Sequence, residues 1–195
     1  MISLNARSYQ GRRTHLPFSL FLAVLGCFVF PEVSAAQTAI NTNAVDDEAD
    51  VVSIDAVIKS AFKIMSGSAG SQRDWKKFRS LFKPSAQFIV APKRADGTVN
   101  FTVRNIDEFI ASSSEWLEKN SSYETEVNRI TEQFGHLAHA FSTYESREKL
   151  GAPPTSRGVS SFQLVHDGKR WWIVNWFWLG ERPNMLIPQK YLQQN

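Results

Sequence analysis

Apolar positions recur at helical spacing in the middle of the chain and alternate with polar ones toward its end. Ser160–Glu181 reads SSFQLVHDGKRWWIVNWFWLGE. Two apolar runs flank Asp167-Gly168, a dipeptide suited to a tight hairpin turn. The second run carries four of the chain's six tryptophans. Strand side chains alternate between faces. Strict alternation puts Trp172, Val174, Trp176 and Trp178 on one face, and Trp171, Ile173, Asn175 and Phe177 on the other. A strand apolar on both faces is covered on both, by core, by ligand or by a second subunit.

Upstream, Ser53 is placed to cap a helix whose apolar positions are Ile54, Val57, Ile58, Ala61 and Met65. Gly67 to Gly70 ends it. Asp74 opens a shorter helix with Trp75, Phe78, Leu81 and Phe82 on one face, and Pro84 stops it. Ala86–Lys93 and Thr98–Arg104 read as strands around Asp96-Gly97. Asn105 and Glu108 form a cap-like pair before a third helix with Ile106, Phe109, Ile110 and Leu117. Ser122–Gln133 and Leu137–Lys149 then alternate, Gly151-Ala152-Pro153-Pro154 is a loop, and the hairpin follows. Helices segregated against an antiparallel sheet make an α+β domain, expected over 51–182, with a tail at 183–195.

The N-terminus changes the reading of composition. Arg7, Arg12 and Arg13 precede an apolar run, Leu16–Phe30, and Ser34-Ala35-Ala36 offers small residues for cleavage before Gln37. Residues 1–36 therefore read as an export signal, shorter than the roughly 20 apolar residues of a membrane span. The expected location is periplasmic or secreted, with no membrane span after cleavage. Val24-Leu25-Gly26-Cys27 resembles a lipobox, but Leu25 is unusual there and Phe28-Val29-Phe30 continues the apolar run, so lipidation of Cys27 is the lesser alternative. Arg12-Arg13 resembles a twin-arginine pair, but His15 stands where that signal takes an apolar residue. Residues 37–50 are small and acidic without periodicity, a linker.

The whole chain has 22 Lys+Arg against 19 Asp+Glu. The signal holds three Arg and Glu32, which leaves 19 against 18. That balance gives no clustered basic footprint for nucleic acid. Cys27 is the only cysteine, so the mature chain has no disulfide. About 159 residues remain, enough for one buried core.

Three local motifs carry a resemblance. Arg73-Asp74-Trp75 with Phe78, Leu81-Phe82 and Pro84-Ser85-Ala86 looks like a helix running into a first strand. Phe134-Gly135-His136-Leu137-Ala138-His139 looks like a Gly-x-x-Ala strand start, and Asp167–Val174 like a final hairpin with a Trp-x-Ile-Val pattern. In this order they resemble the nuclear transport factor 2-like superfamily, in its SnoaL-like branch. Ser85 stands where many members have Asp, so no role is carried over from that position. The resemblance implies a cone: a strongly curved antiparallel sheet wrapped around the N-terminal helices, with a pocket at the open end. It also implies a homodimer. Members include ketosteroid isomerase, scytalone dehydratase and polyketide cyclases, and others only bind partners.

Acid–base groups in an apolar cone are the chemistry to look for. The candidates are Asp74, Glu124, Glu126, Asn128, Arg129, His136, His139, Tyr144, Arg147 and Asn175. Four stand out as catalytic candidates: Asp74, His139, Tyr144 and Arg129. Asp74 is either a helix cap or a pocket base. Alternation puts Glu124, Glu126, Asn128 and Ile130 on a charged face expected to meet solvent, and Tyr123, Thr125, Val127 and Arg129 on the other. Ala138, Ala140, Ser142, Tyr144 and Ser146 form a small-residue face that leaves room in a concave core, with Tyr144 as a hydroxyl donor. His139 on the opposite face is the better acid–base group by residue type, though a lone strand histidine is commonly structural. Trp75, Asn175, Trp172, Trp176 and Arg157 are the expected pocket-binding residues. Arg157, after the double proline, is placed either in solvent or beside a ligand anion. His136 and His139 fall on opposite strand faces, so no metal site is expected, and no cofactor is implied.

The functional expectation is an exported domain that binds a small apolar or aromatic molecule. The alternatives are a cofactor-independent isomerase, lyase or cyclase, and a non-catalytic dimeric interaction domain.

Overall fold

The Ser53 side chain accepts the Ala56 N–H at 3.0 Å and opens α1, Ile54–Met65, in a computed structural model that describes residues 48–92 and 96–193. The expected export signal and the linker up to residue 47 lie outside the described residues. Val57, Ile58, Ala61 and Phe62 form the buried stripe of α1. The Asp74 carboxylate accepts the Lys77 N–H at 2.8 Å and caps α2, Trp75–Ser80. Asn105 and Glu108 exchange two side chain to backbone bonds, a full capping box, at the start of α3, Ile106–Lys119. Each cap satisfies N–H groups that the helix leaves unpaired and is worth about 1 kcal/mol.

Two strands lie between α2 and α3, β1 Phe82–Val90 and β2 Thr102–Arg104, and four follow α3: β3 Tyr123–Phe134, β4 Leu137–Arg147, β5 Ser156–His166 and β6 Trp171–Gly180. They form one curved, unclosed sheet in the order β2-β1-β6-β5-β4-β3. Every neighbouring pair is antiparallel except β1 and β6, which run parallel. The expected sheet was antiparallel throughout. The short β1–β2 hairpin leaves one edge of β1 free, and the last strand docks there in the same direction. β1 begins directly after α2, so Pro84 lies inside a strand rather than before it. Pro84 falls in the break of the β1–β6 ladder between Phe82 and Gln87, where its missing N–H is tolerated.

Two irregularities decide which side chains face inward. On β3, Glu126 pairs with Tyr144 but Asn128 pairs with Thr143, so Val127 is an extra residue. On β6, Ile173 pairs with Leu164 but Asn175 pairs with Gln163, so Val174 is extra. A bulge reverses the phase of every residue beyond it. On β6 the inner face carries Trp171 and Ile173 before the bulge and Trp176 after it, all buried. Trp172 and Asn175 therefore share the outer face, contrary to the strict alternation. On β3, Glu124 and Glu126 face inward with Arg129, opposite Ser146, Tyr144 and Ser142. The face expected in solvent is thus split by the bulge: Glu124 and Glu126 are concave, Asn128 and Ile130 convex.

The core is strongly aromatic. Trp176 lies within about 6 Å of Phe62, Phe82, Phe88, Phe109 and Phe162, and donates its indole N–H to Ser160 Oγ at 3.0 Å. Phe88 and Phe109 stack at 4.2 Å, which ties α3 to β1. The buried Arg73 guanidinium bonds the carbonyls of Met65, Ser68 and Ser71 at 3.3, 3.2 and 2.5 Å, closing the α1–α2 connection.

Residues beyond 182 are part of the fold. Ile187 is buried, and its N–H donates to Glu181 Oε1 at 2.8 Å. Thr143 Oγ1 donates to the Tyr191 carbonyl at 2.6 Å, and Tyr191 packs on Phe141 at 5.3 Å. The segment expected as a tail thus covers the outer face of β3 and β4. Among the described residues, no helix is long and apolar enough to cross a membrane.

Candidate functional site

A cavity of about 360 Å³ opens between α3 and the concave face of the sheet. α3 presents Phe109, Ser112, Ser113, Trp116 and Leu117 to it, the spacing of one helical face. Trp176 and Trp178 of β6 line the opposite wall, and Met65 at the end of α1 adds apolar surface. The polar lining is Arg104 on β2, Ser122 just before β3, Glu124 on β3, Tyr144 on β4 and Ser160 on β5, besides the two α3 serines. A cavity of this size, with an aromatic wall and converging polar groups, has the form of a small-molecule site.

Glu124 is fixed from its backbone. Its N–H donates to Ser66 Oγ at 2.9 Å, and Ser66 sits at the C-terminal end of α1. The bulge at Val127 comes after Glu124, so Glu124 keeps the inward phase set by buried Ser122. Among the described residues its carboxylate accepts no hydrogen bond. Burial alone pushes its pKa up from 4.5 to about 7. The carboxyl is half protonated near neutrality, the condition in which one group both takes and returns a proton.

Tyr144 stands beside it. Burial first, and the Glu124 charge second, raise its hydroxyl well above the ordinary tyrosine value. The phenol keeps its proton at any physiological pH and remains a hydrogen-bond donor. Its ring crosses Gly158 of β5. The small face of Ala138, Ala140 and Ser142 runs up to Tyr144, as the sequence pattern indicated.

The other expected site residues lie elsewhere. Asp74 is exposed, with its carboxylate held in the α2 cap. His139 is on the convex face, where Nε2 and Ser161 Oγ share a hydrogen bond of 2.8 Å. His136 is exposed at the β3–β4 turn. Arg129 reaches Glu126 Oε2 at 2.6 Å and Asp55 Oδ1 at 2.9 Å, pinning β3 to α1. Burial opposes its charge, but these two carboxylates outweigh it and the net pKa shift is upward.

Arg157 pairs with Glu181 at 2.8 Å and shares the convex side with Glu145. Arg147 pairs with Glu145 at 2.5 Å. Trp172 is on the outer face, its indole N–H bonded to Asp167 Oδ2 at 2.6 Å and its ring under Lys83 and Arg170. Asn175 lies beyond the β6 bulge with its Oδ1 buried and unpaired among the described residues. Trp75 packs edge-on against Phe78 and faces a separate surface hollow with Arg73. Of the residues singled out in the sequence, Glu124, Tyr144 and Trp176 meet in the cavity.

Glu124, Arg104, Trp116 and Trp178 complete the site. Alternation alone put Glu124 outside because the sign of the face was set from its charge. Among the described residues, no cluster of three or more His, Cys, Asp or Glu stands ready to hold a metal ion.

The fold has solved counterparts. A protein of unknown function with a cystatin-like fold from Nostoc punctiforme superposes with a TM-score of 0.52 at 9% identity, covering 67% of this chain and 90% of that one. A nuclear transport factor 2-like protein of unknown function from Pseudomonas putida superposes with a TM-score of 0.51 at 10% identity, covering 75% of this chain and 95% of that one. No family model and no curated protein matches the sequence.

Proposed function

From a nuclear transport factor 2-like fold with an aromatic cavity, we propose that this protein binds a small, largely apolar molecule and moves a proton on it through Glu124. The observation that supports the reading is an inward carboxyl with a pKa of about 7 beside a protonated phenol. The Glu124 carboxylate takes a proton from a carbon next to a carbonyl group. The electron pair moves to the carbonyl oxygen, and the Tyr144 O–H donates to that oxygen. Return of the proton to another carbon gives isomerisation, loss of a β-substituent gives elimination, and attack within the molecule gives ring closure. No cofactor enters these steps.

The test is deuterium incorporation from D2O into a panel of small cyclic and aryl ketones, followed by mass spectrometry. The expected result is exchange above the buffer rate, rising through about pH 7, and reduced to background in Glu124→Gln. Exchange by Glu124→Gln at the wild-type rate overturns the role of Glu124.

A second reading is favoured by the convex face. Val103, Ile89, Phe177, Phe141 and Ile130 lie on one row across five of the six strands, with Ser161 filling the β5 position. The row supports a homodimer packed sheet to sheet, with the segment around Tyr191 at its margin. A monodisperse monomer at micromolar concentration by light scattering overturns it. Residues 1–36 support an exported protein, and a mature N-terminus at Gln37 by mass spectrometry of the exported form is the expected result.

A further inference from the structure

We infer that the molecule taken up by the cavity is an anion, an apolar body bearing a carboxylate, and that Arg104 holds the carboxylate. The inference rests on the cavity reading above and adds the chemical class of the ligand. Arg104 is the last residue of β2 and pairs with Phe88, a core residue, so it belongs to the concave face. It is half-buried and lines the cavity. Among the described residues its guanidinium donates no hydrogen bond and makes no ion pair.

That condition sets it apart from other arginines of the domain. Arg79 meets Asp107, Arg129 meets Glu126 and Asp55, Arg147 meets Glu145, and Arg157 meets Glu181. Buried Arg73 is bonded to backbone carbonyls. A guanidinium carries five donors in a planar fork and never loses its charge, so partial burial without a partner is costly. A carboxylate matches that fork with two parallel bonds.

Glu124, the one acidic residue of the cavity wall among the described residues, does not serve as this partner. Glu124 is on β3 and Arg104 on β2, the two opposite edges of the six-stranded sheet. Between them the wall is aromatic, with Trp176 and Trp178 on the sheet and Phe109 and Trp116 on α3. The cavity therefore has a fixed cation on one edge strand and a proton-exchanging group on the other, with an aromatic wall and a few hydroxyls between them. A neutral molecule of the same shape leaves the guanidinium unpaired and binds less tightly.

The experiment compares 2-naphthoate with 2-naphthamide, which share an aromatic body and differ in charge, by isothermal titration calorimetry. The wild-type protein is expected to bind naphthoate about tenfold or more tightly than naphthamide, the effect of a charge-assisted pair. Arg104→Met is expected to abolish that preference through loss of naphthoate affinity. The naphthamide affinity of the variant is expected to stay within about twofold of wild type, which also reports that the cavity has kept its shape. Equal affinities for the two probes in the wild type, or an undiminished preference in Arg104→Met, overturn the inference. If naphthamide binds and Trp178→Ala weakens it while naphthoate gains nothing from its charge, the cavity reading stands and the Arg104 inference alone falls. Failure of both probes to bind overturns both.

Discussion

The ring of Tyr144 lies across Gly158, its cross-strand partner: a Cβ on residue 158 would stand 2.5 Å from the tyrosine hydroxyl oxygen and 2.5 Å from the Leu179 carbonyl oxygen. The missing side chain lets a large aromatic residue lie flat on the sheet at the cavity wall. Gly158→Ala forces both the ring and the β5–β6 ladder to shift. A destabilisation of about 1–3 kcal/mol is expected, read as a lower midpoint in urea unfolding. An unchanged midpoint would show that Tyr144 moves away without cost.

Glu124 gives the fold a pH dependence. Burial raises its carboxyl from 4.5 to about 7. Between those values the folded protein holds a proton that the unfolded chain releases. Stability therefore falls as pH rises through this window and levels off above it. The loss is roughly 3 kcal/mol at most. Glu124→Gln carries no such proton. Its melting temperature is expected to match wild type near pH 5 and exceed it near pH 8. Parallel calorimetric profiles for the two proteins would contradict the burial of the carboxyl.

Two tryptophans one strand step apart have different duties. Trp176 is buried among phenylalanines and bonded to Ser160, whereas Trp178 is half-buried at the cavity wall. Trp176→Ala is expected to cost roughly 3–5 kcal/mol. Trp178→Ala is expected to cost less, about 1–2 kcal/mol, and to weaken 2-naphthamide binding. Urea unfolding with calorimetric titration separates the two effects. Equal losses of stability would show that Trp178 belongs to the core.

Asp74 tests whether a cap and a catalyst can be told apart. Asp74→Ala removes the bond to the Lys77 N–H and is expected to lower stability by about 1 kcal/mol, and Asp74→Ser largely restores it. Ketone exchange and probe binding are expected to be unchanged in both. Loss of exchange in Asp74→Ser, with stability retained, would place Asp74 in the chemistry.

Helices and caps were legible because their signals are local. Ser53, Asp74 and the Asn105–Glu108 box each lie within three residues of the N–H groups they satisfy. Tyr144 was legible because Ala138, Ala140 and Ser142 mark an unbroken inward phase on β4. Glu124, Trp172 and Asn175 were not. The faces of Glu124 and Trp172 depend on which side the helices cover, and that of Asn175 on the extra residue Val174, which nothing in the valine itself announces. The parallel pairing of β1 with β6 joins segments far apart in the chain, so no local pattern encodes it.

β3 is the last strand of the sheet on its side, and it is twelve residues long. A flat strand of that length with one free edge is a template on which another chain can add and start a fibre. The extra residue at Val127 kinks the edge and breaks the even spacing of its free N–H and C=O groups. Glu126 and Arg129 next to it place charge where an incoming strand would have to lie. The same bulge that brings the Glu126 carboxylate and the Arg129 guanidinium to one side of the strand thus guards the protein against self-association along its edge. Deletion of Val127 is a change of one residue that leaves the rest of the strand in register but straightens its edge and exposes the chain to aggregation.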